Sequence, residues 1–344
     1  MKLIIDKLII TGIAWALTAC SGISGEDDLP VPEDKGDPIS IAFNMFETNI
    51  TRADNTTDTD PMGEGSTFMI YVYDAQTKDA TTGTFTPGFG GSPIASGVYT
   101  IGQNAQGKLE ATGNLKLYRG TYYMYLVSYN LSSEHPEIKE TNGQITVENG
   151  KDFMYTTLEN IVVQPETAGG NSMTVRLPAP FKRLGSQVIV RAAAKNGGQP
   201  VTPSSLVVNE ITINKLPASL DFQFEKSTWE TCSGYNTSYT YPSDAFRRSG
   251  EEVTDYWTSD PAVLLPVDGT VPLEFGVNLT VTYSSGTKTS TKTYPASVQK
   301  VLLPGMTYEF TFTLTFYGEL LPTDLTLAVR EYNTITLESD GLGK

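Results

Sequence analysis

Val271–Tyr283 reads VPLEFGVNLTVTY, with Val271, Leu273, Phe275, Val277, Leu279, Val281 and Tyr283 on alternate positions. Successive side chains of a strand point to opposite faces, so an apolar period of two describes a half-buried strand. Thr307–Phe316 (TYEFTFTLTF) repeats the pattern. Tyr308, Phe310, Phe312, Leu314 and Phe316 are expected to face a core, and Thr307, Glu309, Thr311, Thr313 and Thr315 to face out. Ser284-Ser285-Gly286 and Pro304-Gly305 supply the turns. These segments set the fold class as all-β.

The rest of the chain agrees. It has 31 Gly, 20 Pro, 18 Tyr and 14 Phe, which favours strands joined by tight turns, and no long helical period appears. Phe68–Tyr73 (FMIYVY) is apolar on both faces and is expected at the centre of a sheet covered on both sides. Thr121–Tyr129 (TYYMYLVSY) reads as a core strand in preference to a sugar-stacking tyrosine ladder. Leu115–Leu117, Ile145–Val147, Ile161–Val163 and Ser172–Leu177 (SMTVRL) are shorter strands. Asp74–Ser96 reads as one turn-rich stretch. Pro178-Ala179-Pro180 is the expected hinge, and Phe181-Lys182-Arg183-Leu184 leads into strands at Gln187–Ala194 and Leu206–Asn214. Ser227–Asp260 reads as a long aromatic loop, a candidate interaction surface with Trp229, Tyr235, Tyr239, Tyr241 and Trp257, and Arg247-Arg248 within it is a second tryptic site. A length of 344 residues suits two domains, at 38–180 and 181–344.

Charge and chemistry exclude several classes. A net charge of −15 argues against nucleic acid and anionic lipid as partners. His135 is the single histidine and Cys232 is unpaired once Cys20 is assigned to processing, which removes histidine triads and multi-histidine zinc sites. There is no phosphate-binding loop or dinucleotide fingerprint. Asp54, Asp58 and Asp60 have calcium-like spacing without the glycine and closing glutamate of an EF-hand. No enzyme, cofactor or metal is expected.

The two ends carry the functional signals. Lys2, Lys7 and the apolar run Leu8–Leu17 make residues 1–19 a signal peptide. Leu17-Thr18-Ala19-Cys20 resembles a bacterial lipobox, which implies lipidation (palmitate) of Cys20 and an outer-membrane lipid contact. Residues 20–37 are a Gly-, Pro- and acid-rich flexible tether. Glu26, Asp27 and Asp28 resemble a surface-export signal of Bacteroidetes lipoproteins. Ile39–Asn55 (ISIAFNMFETNITRADN) then opens as a strand, with Ile39, Ile41, Phe43 and Met45 alternating, and ends as a polar loop. Arg52-Ala53 in that loop is either a solvated arginine or a trypsin-like cleavage site. Leu325, Leu327, Val329, Ile335 and Leu337 keep one parity through Asp324–Leu337, interrupted by Glu331 and Asn333. This tail is the last strand of its own sheet or a strand lent to another molecule.

Lipobox, tether, first strand, Thr51-Arg52-Ala53 and two all-β halves, in that order, resemble the fimbrillin family, the subunits of type V pili. The resemblance implies two tandem transthyretin-like β-sandwich domains and a lipoprotein precursor carried to the cell surface. It implies an arginine-specific protease that cuts between Arg52 and Ala53, removing the strand of Ile39, Ile41, Phe43 and Met45. Another pilus subunit's donor strand, equivalent to Asp324–Leu337, would fill the groove and build a fimbrium that supports adhesion. Stalk, tip and uncleaved anchor subunits share this plan. The rival expectation is a surface lipoprotein that stacks glycans on Trp229 and Trp257.

Overall fold

The computed structural model describes residues 36–45, 62, 64–83, 85–89, 91–105, 107, 109–138, 143–178, 181–198, 203–252, 254–283, 288–317 and 325–333. Cys20, Arg52, Ala53, Ile335 and Leu337 lie outside them, as do residues 1–19, expected as a signal peptide, and most of the expected tether at 20–37.

Gly36–Lys344 is one compact unit. Its first half contains β1 (Ile39–Asn44), β2 (Thr67–Lys78), β3 (Phe85–Pro87), β4 (Ala95–Gln103), β5 (Leu109–Gly113), β6 (Lys116–Leu117), β7 (Gly120–Ser128), β8 (Gln144–Glu148), β9 (Met154–Val163), β10 (Ser172–Arg176) and β11 (Lys182–Arg183). The second half contains β12 (Ser186–Asn196), β13 (Pro203–Leu216), β14 (Ser219–Gln223), β15 (Thr228–Trp229), β16 (Thr237–Pro242), β17 (Phe246–Arg248), β18 (Trp257–Ser259), β19 (Ala262–Leu264), β20 (Leu273–Tyr283), β21 (Thr289–Val298), β22 (Met306–Phe316) and β23 (Leu325–Asn333). A single 3₁₀ turn, Ser243–Ala245, is the only helical element among the described residues.

In the first half, one sheet runs β10-β1-β5-β4-β2-β7-β9-β11, with β3 and β6 attached at its side. It folds over its own core. Phe43 on β1 meets Phe68 on β2 at 6.3 Å although β5 and β4 stand between them in the ladder. The opposite face of β2 and β7 is also covered. Tyr71, Tyr73, Tyr123 and Tyr125 are buried beneath a small sheet, β15-β14-β8, where Phe224 stacks on Tyr125 at 4.8 Å and 3°. FMIYVY and TYYMYLVSY are therefore central core strands, as their two-sided apolarity requires.

That small sheet joins the two halves. β8 precedes Pro178 and pairs with β14, which follows it, in the register Ser219↔Glu148 to Gln223↔Gln144. Phe181 also points back, packing on Phe68 at 5.5 Å.

The second half packs sheet β17-β18-β12-β22-β23, with β19 paired to β12, against sheet β16-β13-β20-β21. Phe275 of β20 meets Phe310 and Phe312 of β22 at 5.0 and 5.1 Å, so the two alternating segments that define the fold class face each other across this core.

Three sequence expectations are corrected. Ser227–Asp260 is not a loop: it contributes β15, β16, β17 and β18. Tyr239 and Tyr241 share the inward face of β16 and pack against the second core, and Tyr241 is buried with its hydroxyl donating to Val188 O at 2.8 Å. Both tryptophans are structural, with Trp229 Nε1 donating to Leu184 O at 3.0 Å and Trp257 Nε1 to Leu206 O at 2.9 Å. Asp74–Ser96 is not one turn-rich stretch, because β2 continues to Lys78 and pairs with β3. Thr307 and Glu309 do not face solvent. Both are buried, with the Thr307 hydroxyl donating to Gln187 Oε1 at 3.1 Å and Glu309 3.1 Å from Arg191. A buried charge persists only when paired, and Arg191 supplies the pair.

Candidate functional site

The first described strand, β1, is enclosed by the sheet. Ile39, Ile41, Phe43 and Met45 are 1%, 3%, 0% and 9% exposed, so the whole apolar face predicted from Ile39–Asn55 is in the core. Each such side chain contributes about 1.5–3 kcal/mol when buried. Ladders run along both edges of β1. It is antiparallel to β5 (Phe43↔Ala111, Asn44↔Glu110) and β6 (Ile39↔Leu117, Ser40↔Lys116), and parallel to β10 from Ser40↔Ser172 to Asn44↔Arg176. Ile41 N donates to Leu115 O at 2.9 Å on one side, and Ser40 N to Asn171 O at 2.8 Å on the other.

Beneath β1 lies a residue that the sequence reading passed over. Tyr99 of β4 is buried, its ring meets Phe43 edge-on at 5.0 Å and stacks on Phe68 at 5.5 Å, and its hydroxyl donates to Ile41 O at 2.6 Å. Burial pushes the phenol well above its ordinary value, so it stays a donor across the physiological range. The bond is to backbone, so it does not depend on which side chains the strand carries. Gly113 of β5 lies directly opposite Tyr99, and a Cβ there would sit 2.6 Å from the ring. A glycine inside a strand marks such a close approach, and this was the available signal for the site.

The last described strand is held differently. Among the described strands β23 ends its sheet and has β22 as its one ladder partner, from Met306↔Asn333 to Leu314↔Leu325. Leu325, Leu327 and Val329 pack against the second core but are only partly buried. Lys300 forms an ion pair with Glu331 near the edge.

The remaining candidates contribute little chemistry. His135 is half-buried, and Cys232 is a partly buried free thiol whose Sγ is 3.1 Å from Gly234 O. Among the described residues no group of three or more His, Cys, Asp or Glu could hold a metal ion, and no helix is long and apolar enough to cross a membrane. Arg247 and Arg248 are locked in β17, paired with β18, a poor setting for a protease that needs extended free backbone. The loop of Asp54, Asp58 and Asp60 lies outside the described residues.

The fimbrillin-like family profile matches residues 51–328. The chain belongs to the fimbrillin-like family. Membership supports a pilus-related adhesion role at the cell surface rather than an enzymatic one. Solved structures with the same fold include a fimbrial protein from Bacteroides vulgatus, 14% identical with a TM-score of 0.52 over 86% of this chain and 99% of that one. Another is a provisionally assigned cell adhesion protein from Bacteroides fragilis, 16% identical with a TM-score of 0.50 over 86% of this chain and 98% of that one. The fimbrial anchor protein Mfa2 from Porphyromonas gingivalis aligns over 86% of this fimbrillin-like chain and 99% of its own, with 12% identity and a TM-score of 0.38. No curated protein sequence matches the chain.

Proposed function

We propose that this chain is the lipoprotein precursor of a pilus subunit that polymerises by strand exchange. The carrying observation is the setting of β1: a fully enclosed core strand followed directly by the segment containing Arg52. Cutting between Arg52 and Ala53 by an arginine-specific protease detaches everything before the cut, including lipidated Cys20 and β1. The groove then exposes the pockets of Ile39, Ile41, Phe43 and Met45 between β10 and β5/β6. An open edge above an apolar groove is a template for a strand from another chain.

The donor is the segment Asp324–Leu337 of a neighbouring subunit. The position of β23 supports this, because a partly buried strand with one ladder is the least costly to release. Head-to-tail repetition builds a filament and not a closed ring. In this reading residues 1–19 are the signal peptide and 20–37 the tether on the outer membrane. Residues 38–180 and 181–344 are two tandem transthyretin-like sandwiches, bridged by β8 and β14. The subunit belongs to the stalk or the tip. The inward hydrogen bonds of Trp229 and Trp257 disfavour the glycan-stacking alternative.

The test is limited trypsin treatment of the folded precursor, followed by N-terminal sequencing and sizing. The expected outcome is a new terminus at Ala53 and growth of oligomers. Cleaved protein that loses residues 1–52 and stays monomeric at high concentration would refute polymerisation.

A further inference from the structure

β10 ends the sheet, and β1 is its sole ladder partner among the described strands. The bonds around it lead the same way. Ser40 N donates to Asn171 O and Leu177 N to Asn44 O, both between β10 and β1, while Glu166, in the loop before β10, donates its N–H to Ser172 O and accepts from Thr174 N at its Oε1 on the outer edge. Loss of β1 therefore removes more than a filler. It leaves the outer wall of the groove without a neighbour.

The register adds a second observation. Paired position by position, β1 reads Ser40, Ile41, Ala42, Phe43, Asn44 and β10 reads Ser172, Met173, Thr174, Val175, Arg176. Met45 is followed in kind by Leu177, which is buried. Apart from Ala42 beside Thr174 on the outward face, polar stands beside polar and apolar beside apolar, and Met173, Val175 and Leu177 already touch the same core as Ile41 and Phe43.

We propose that β10 is a built-in replacement for β1: once β1 leaves, β10 moves one strand spacing inward and zips onto β5 and β6, closing the groove until a donor strand displaces it. This concerns the regulation of the proposed strand-exchange site and rests on that reading. The geometry favours it in three ways. An in-register parallel neighbour is related to β1 by simple translation of about 4.8 Å. The move keeps strand direction, side-chain face and the orientation of each amide, so β10 meets β5 and β6 antiparallel as β1 did. Phe181, anchored on Phe68, lies four positions beyond Leu177, and four residues of chain span up to about 13 Å.

The contacts at the new position are favourable. Val175 would lie opposite Ala111, and Arg176 opposite Glu110, an opposite-charge cross-strand pair that Asn44 does not make. Val175 is nevertheless smaller than Phe43 and leaves the space beside Phe68 and Tyr99 underfilled. An underfilled pocket costs stability in proportion to the cavity left. The closed state is thus better than an open groove and worse than a well-fitting strand, which is what a displaceable plug requires.

Disulfide trapping tests it. In a Cys20→Ser, Cys232→Ser chain, Glu110→Cys and Arg176→Cys are combined. In the intact chain these positions flank Asn44, two strand spacings or about 9–10 Å apart, beyond the roughly 7 Å reach of a disulfide. The precursor is cut after Arg52, residues 1–52 are stripped in mild denaturant, and the chain is returned to buffer. Disulfide formation should then be roughly tenfold or more faster than in the precursor, and excess peptide 324–337 should slow it again. Loss of residues 1–52 without faster disulfide formation would overturn this proposal alone. Retention of residues 1–52 through stripping would overturn the strand-exchange reading and this proposal with it. A second measurement avoids the substitutions. In the unsubstituted stripped chain, hydrogen exchange should leave the amides of Ser172–Arg176 protected, and exchange at the rate of free chain would overturn the proposal.

Discussion

β1 and β23 carry nearly the same pattern, three or four apolar residues on odd positions, and occupy opposite situations. β1 is walled by ladders on both edges with its apolar face 0–9% exposed. β23 holds one ladder at a sheet end, with Leu325, Leu327 and Val329 only partly covered. Alternation settles which face of a strand is buried. Enclosure depends on what the topology places beside it. In this molecule the enclosed strand is the one joined to the body through the Arg52 segment, and the lightly held strand is the one near the chain's end.

The contrast makes quantitative predictions. Phe43→Ala should cost about 3–5 kcal/mol in denaturant unfolding of the precursor, whereas Leu327→Ala should cost roughly 1–2 kcal/mol because its site is already partly solvated. Equal losses would erase the difference between the two ends. Gly113→Ala forces a methyl against the Tyr99 ring and should cost about 1–3 kcal/mol, raising hydrogen exchange in Ile39–Asn44 and leaving Leu325–Val329 unchanged. Faster exchange at both ends would mean that Tyr99 does not act specifically under β1.

Alkaline pH should act next. Burial raises Tyr122 and Tyr129 to about 12 and also raises Tyr71, Tyr73, Tyr99 and Tyr125 from the ordinary 10.0, all in the first half. A raised pKa means that the folded state keeps a proton the unfolded chain loses, so the contribution of these tyrosines to stability is constant below pH 10 and falls above it. Each such tyrosine removes about 1.4 kcal/mol per pH unit between its unfolded and folded values. A component of the tyrosinate absorbance that rises only together with unfolding above pH 10 is the expected result. The smallest effect is at the edge. Lys300→Ala should weaken β23 by less than about 1 kcal/mol, with the loss fading at high salt, because Glu331 is half-exposed.

Much of this was legible in the residues. The alternations of β20, β22 and β1 gave their buried faces, and the two-sided apolarity of Phe68–Tyr73 gave its central place. What the sequence hid was pairing at long range. Nothing local in Ser172–Leu177 announces a parallel ladder with Ile39–Asn44, and nothing around Tyr99 announces a bond to Ile41 O. Ser227–Asp260 was misread because strands of two to six residues with polar outer faces resemble decorated loops. Thr307 and Glu309 were misread because an ion pair to Arg191, far away in sequence, keeps a charged residue buried.

The β8–β14 ladder has a mechanical consequence. Without it, a pull between the first and last strands would be resisted chiefly by the short covalent link between the halves. Five cross-paired positions, Ser219↔Glu148 to Gln223↔Gln144, and the ring stack of Tyr125 on Phe224 add a second, non-covalent path for tension. The joint behaves as a brace with two struts, and stretching it means rupturing a hydrogen-bonded ladder and an aromatic contact before the link alone takes the load.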